Sequence, residues 1–298
     1  MDSLTQIVLG GAVAAAIAPP GHRRAALLAG AALGTLPDLD ALWLGFTAAD
    51  PVANMIEHRS FSHSLLVLPW VAALIWWLFK RFGNGRVAQS PVRWFWAFGR
   101  ARPWAGKVLG MALLLSSGYL GWGLIAKAQV DRAAQQGLAA MGLGDAPRFS
   151  VPMPFNTLLW RVVAMTPSGY VVGDRSLVAD HGPMRFEGHA SNVQALREAT
   201  AIPAVQQLQW FNRGFMRAQV VDGRLVLSDL RMGLEPDYTF NFVVAEQADG
   251  QWRAITPEQV RVDYSSPAAR ADAGRRLAAM WQRIWQEPAA SATGAAHP

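Results

Sequence analysis

Two carboxylates two residues apart, Asp38 and Asp40, follow Pro37 in an otherwise apolar stretch, Gly34-Thr35-Leu36-Pro37-Asp38-Leu39-Asp40. A second polar cluster follows in Glu57-His58-Arg59-Ser60-Phe61-Ser62-His63-Ser64. Carboxylate oxygen and imidazole nitrogen together suit Zn²⁺, Mn²⁺ or Fe²⁺. A divalent ion held by Asp38, Asp40, His58 and His63 would activate water as a nucleophile by lowering its pKa toward about 7. Glu57 is placed beside His58 as a general base or as a partner that orients a ligand. On an unbroken helix, His58 and His63 would point about 140° apart. They converge only if the stretch is a turn entering a helix, with Ser60 or Ser62 as the N-cap. Each pair also has an ordinary explanation: helix capping with ordered water for the aspartates, interfacial hydrogen bonding for the histidines. A nucleophilic Ser62 or Ser64 lacks a third group to orient it, and zero cysteines remove thiolate chemistry.

The elements that must position these residues are strongly apolar. The 298 residues are 52% hydrophobic and only 16% charged, with 13 Trp and 27 Gly. Soluble chains carry about 25% charged residues, so 16% is low; the hydrophobicity excludes disorder, and the lack of cysteine excludes a disulfide scaffold. The formal charge of +6 is unevenly placed: residues 1–128 hold eleven basic and five acidic groups, and residues 129–298 hold sixteen of each. Four apolar runs occupy the first part: Leu4 to Ala18, Ala25 to Leu36 continuing through Leu42-Trp43-Leu44, Ser64 to Phe79, and Val108 to Ala126. They predict a domain of about four transmembrane helices over 1–128 that carries the metal site.

Seven basic and no acidic residues between Lys80 and Lys107 predict a cytoplasmic loop, and the Arg23-Arg24 turn falls on the same side. Both ligand pairs and everything after residue 128 are then expected on the outer, periplasmic side. Met1-Asp2-Ser3 lacks the basic residues of a signal peptide. Trp94, Phe95, Trp96 and Trp104 interleaved with arginine fit lipid headgroups better than nucleic acid.

Residues 129–287 read as a soluble, mainly β (α+β) domain, and 288–298 as a disordered tail. Asp222-Gly223 and Asp249-Gly250 supply the positive φ that tight hairpins need. Leu277, Met280, Trp281, Ile284 and Trp285 form the stripe of an amphipathic helix over Asp272 to Gln286 that docks on the sheet. A short helix is expected over Thr200 to Leu208. Asp180, His181 and His189 read as surface residues, and His22 and His297 carry no chemistry.

The opening Met-Asp-Ser-Leu-Thr-Gln-Ile-Val-Leu-Gly-Gly-Ala, the Gly34-to-Asp40 stretch and His58-Arg59-Ser60-Phe61-Ser62-His63-Ser64 resemble the bacterial inner-membrane metal-dependent hydrolases of the YdjM type, associated with the LexA regulon. Ser116 to Ala128, Pro154 to Arg161 and Leu227 to Gly233 resemble the long form of that family. The resemblance implies a hydrolase of the inner membrane whose substrate is not established. This chain departs from the family in one place: a membrane hairpin with a His-x-x-x-Asp-like motif is missing, and residues 81–107 contain no His, Asp or Glu. One ion rather than two is therefore expected. The expected partners are membrane lipids and a small-molecule or lipid-linked substrate, with no nucleic acid. The competing expectation is a non-catalytic, membrane-anchored envelope-binding protein or pseudoenzyme.

Overall fold

A computed structural model describes residues 3–18, 23–58, 68–82 and 103–288. His63 and its neighbours in 59–67, the basic segment 83–102 and the tail from 289 lie outside the described residues. The chain forms two compact units, residues 1–117 and 118–298.

The first unit opens with α1 (Ser3–Ile17) and α2 (Arg23–Thr35). They pack backbone to backbone through small residues. A Cβ added at Gly10 would stand 2.4 Å from the Gly30 carbonyl oxygen, and one at Gly30 would stand 2.4 Å from the Ala14 Cβ. A 3₁₀ turn, Leu36–Leu39, interrupts the chain after α2, as Pro37 favours. Next come α3 (Asp40–Thr47), α4 (Pro51–Glu57) and α5 (Leu68–Phe82). The long helix α6 (Pro103–Ala140) contributes to both units.

The expectation of about four transmembrane helices is overturned: no described helix is long and apolar enough to cross a membrane. The helices α1, α2, α3 and α5 run 15, 13, 8 and 15 residues, below the roughly 20 a crossing requires. α6 has the length, 38 residues, and among the described residues it too offers no stretch apolar enough to cross. From Ala126 onward its apolar residues are taken up by the core of the second unit. Ala126, Val130, Ala133 and Ala134 pack with Trp160 and Val162, and Leu138 packs with Ala164 and Val171. Those helical positions share one face, as in a helix lying on a sheet.

The second unit is mostly β. One antiparallel sheet orders β1 (Arg148–Pro152), β2 (Leu159–Thr166), β3 (Gly169–Ser176) and β4 (Glu187–Ala190) as β1-β2-β3-β4. Its two faces bury alternate residues: Val162 and Ala164 meet α6, while Val163, Tyr170 and Val172 meet Leu230 and Tyr238. Two short helices follow, α7 (Val193–Glu198) and α8 (Pro203–Asn212). The second sheet orders β10 (Gln251–Val260), β9 (Asn241–Ala248), β6 (Arg224–Asp229) and β5 (Met216–Val221). Between β6 and β9 lies the small pair β7 (Gly233–Leu234) and β8 (Asp237–Tyr238).

Asp222 (φ 50°) and Gly223 (φ 73°) turn β5 into β6, and Asp249 (φ 53°) and Gly250 (φ 75°) turn β9 into β10. These are the left-handed pairs of the tightest hairpins. Finally α9 (Pro267–Arg283), capped by the Ser266 hydroxyl, brings Met280 and the following Ile284 against Met153 and Leu159. It starts five residues before the expected Asp272. The helix expected at Thr200 begins at Pro203 and ends at Asn212.

Candidate functional site

The first polar cluster is assembled by short elements. Pro37 and Asp38 lie in the 3₁₀ turn, and Asp40 opens α3. Capping does not explain the aspartates at α3, because its N-cap is Leu39 and no side chain caps it. The capping aspartate is Asp50, whose Oδ1 accepts from the backbone N–H of Val52 at 2.8 Å and of Ala53 at 2.9 Å. With Pro51 in the first turn, Asp50 starts α4, and that helix ends by delivering His58 as its C-cap.

His58 Nδ1 meets Asp40 Oδ1 at 2.9 Å across 18 residues of sequence. The Asp40 side chain is only 7% exposed and the His58 side chain 30%. A buried carboxylate beside an imidazole favours the tautomer with its proton on Nδ1, which donates to Asp40 and leaves the Nε2 lone pair free. That is how a carboxylate orients a ligating histidine. Asp38 is half-buried two residues from Asp40, and Glu57 is exposed at the end of α4. Of the residues singled out in the sequence, the structure brings Asp40 and His58 together, and His63 lies outside the described residues. Among the described residues, no group of three or more His, Asp or Glu side chains converges as a metal site. The donors present fit a divalent cation by chemistry, a hard oxygen beside a borderline nitrogen.

The second unit holds polar groups that sequence reading passed over. Asp180 is no surface residue: it accepts from Arg283 and from the Ser176 backbone N–H at 2.9 Å. Beside it, His181 and Arg175 help line a cavity of about 570 Å³. His189 stacks on Tyr170, ring centroids 5.3 Å apart. The Tyr170 hydroxyl donates to Glu235 at 2.6 Å, and Arg217 donates to the other Glu235 oxygen at 2.7 Å. Burial, then the hydrogen bond to Glu235, pushes the Tyr170 phenol well above its ordinary range. Burial likewise pushes Tyr238 up to about 12. No local pattern marks this cluster, since Tyr170 and Glu235 are 65 residues apart.

Residues 1–120 match the family model described as the YdjM inner membrane protein. No curated protein and no solved structure matches the chain.

Proposed function

Taking residues 1–120 as those of a YdjM-family inner membrane protein, we propose that the chain is a membrane-bound metal-dependent hydrolase. In this reading Asp38, His58 and His63 hold one divalent ion, Zn²⁺, Mn²⁺ or Fe²⁺, while Asp40, expected from the sequence as a fourth ligand, stands behind His58 instead. When bound, such an ion supplies Lewis acidity and activates water. Asp40 keeps the proton of His58 on Nδ1, so that Nε2 faces a ligand as a base. Glu57, exposed next to His58, takes the proton from water. The substrate class is a lipid or lipid-linked ester, supported by the inner-membrane family.

The observation that carries the reading is the 2.9 Å contact between Asp40 and His58. It joins two segments that have no reason to meet as solvated surface. The test is the metal content of detergent-purified protein, wild type against Asp38→Ala, His58→Ala and His63→Ala. Loss of bound metal in the variants supports the reading, and unchanged content in all three sinks it. A second reading, a non-catalytic envelope-binding protein, is favoured by the same pair, because Asp40 and His58 already satisfy each other without an ion. Metal-free wild type would select it.

A further inference from the structure

The loop between β1 and β2 presents a bulky aromatic to the outside in a way that water alone does not reward. Phe155 is 84% exposed, and its backbone sits in the left-handed region at φ 61°, which large side chains rarely adopt. The loop is held in this form by its neighbour. Asn156 Oδ1 accepts from the backbone N–H of Leu158 at 3.1 Å and of Leu159 at 2.8 Å, while its Nδ2 donates to the Pro154 carbonyl at 3.1 Å. The ring of Phe155 is therefore displayed by a fixed scaffold.

The same loop is tied to α6. Trp122 Nε1 donates to Thr157 Oγ1 at 3.2 Å. Around Trp122 on that helix, Tyr119, Leu120, Leu124 and Ile125 are all exposed. Charge resumes one turn later. Lys127 donates to Asp131 and to Ser150, each at 2.7 Å, and Ser150 donates to Asp131 at 2.6 Å. Tyr119, Leu120, Trp122, Leu124 and Ile125 thus form one exposed apolar and aromatic band, and the lysine-centred polar network that follows it along α6 reaches β1. That banding is the signature of a bilayer interface, where aromatic rings sit at headgroup level and lysine extends to water.

We propose that Phe155 and the Tyr119–Trp122 band form one lipid-contacting surface, with the β1–β2 loop seated in the interfacial layer of the membrane. The surface is continuous with residues 1–120, whose family is an inner membrane protein. It rests on that membership and not on the metal reading. It needs contact with the bilayer surface, not a crossing. Its consequence is orientation: a second contact, on a loop away from the helix, stops the β domain from pivoting about α6.

The chain has no cysteine, so single labelling sites can be introduced cleanly. Phe155→Cys, Tyr119→Cys and, as a reference at the β5–β6 turn of the second sheet, Val221→Cys (Val221 is exposed) are labelled with bimane in the whole chain and reconstituted in phospholipid nanodiscs. Brominated phospholipid should quench the labels at 155 and 119 and leave the label at 221 bright. Iodide in the buffer should quench only the label at 221. A label at 155 quenched by iodide as strongly as that at 221 overturns the proposal. So does a label at 155 that neither quencher reaches, which would mean a protein partner or a second copy covers the loop. A lipid signal at 119 alone also overturns it, since the loop would then stand clear of the membrane.

Discussion

Asp180 and Arg283, 103 residues apart in the chain, are joined by two parallel hydrogen bonds, Nη1 to Oδ1 at 2.7 Å and Nη2 to Oδ2. The pair is shielded, with Asp180 7% and Arg283 18% exposed in their side chains. Arg283 Nη2 also donates to the Asp174 carbonyl, and the Ser176 hydroxyl donates to the Ile284 carbonyl at 2.6 Å. The end of α9 is therefore clamped to the end of β3 by polar groups on top of the Met280 and Ile284 contact.

Removing one member leaves the other buried charge unanswered. Arg283→Met is expected to destabilise the second unit by about 2–3 kcal/mol, given partial exposure. Thermal melts followed by near-ultraviolet circular dichroism would report it through Trp281 and Trp285. A melting temperature equal to wild type would show that the apolar contacts alone hold α9.

Alkaline pH should loosen the same unit. The fold keeps the Tyr170 and Tyr238 phenols protonated above the ordinary value of 10, Tyr238 up to about 12. Their contribution is whole below pH 10 and is lost as pH rises from 10 toward 12. Absorbance at the tyrosinate band, recorded with circular dichroism across that range, should show part of the phenol ionisation arriving together with unfolding. Complete ionisation ahead of any structural change would contradict it.

At the candidate site, two aspartates have separable duties. Asp50→Ala removes a cap worth about 1 kcal/mol, so hydrogen exchange should rise over Pro51–Glu57. Asp40→Ala should leave exchange there near wild type while lowering metal affinity by about 10–100-fold, the usual cost of losing a carboxylate behind a ligating histidine. Zinc titration of both variants after chelator treatment distinguishes the two. Equal effects on both measurements would mean that Asp40 is merely structural.

The α1–α2 pair tolerates no extra bulk. A Cβ at Gly30 would fall 2.3 Å from the Gly10 carbonyl oxygen, so Gly30→Ala should cost about 1–3 kcal/mol by overpacking. Gly118→Ala, where a Cβ meets nothing within 4 Å, is the control. Faster tryptic cleavage after Arg23 or Arg24 in detergent, in the first variant only, is the expected outcome. Identical rates would refute the close packing.

Local chemistry was readable and long-range chemistry was not. Asp222-Gly223 and Asp249-Gly250 announced their hairpins because left-handed backbone is a property of the two residues themselves. The stripe ending at Ile284 announced α9 for a similar reason. The cap at Asp50 is signalled only by Pro51 after it. Asp180 reads as surface in the sequence because its partner lies in another element 103 residues away. The membrane-crossing reading failed for a physical reason. A count of uncharged residues from Val108 to Ala126 cannot see that the next apolar positions of α6 belong to a sheet.

The strand at the rim of the second sheet carries an irregularity with its own meaning. Pairing of β10 with β9 passes from Ala254↔Ala245 to Glu258↔Val243, so three residues, ending in Pro257, bulge against one. Pro257 has no N–H to offer, and the bulge bends the strand away from a straight line. A foreign strand could not zip along this rim past its midpoint. The domain thus stays four strands wide at this border, where otherwise a row of open backbone groups would invite chain-to-chain aggregation.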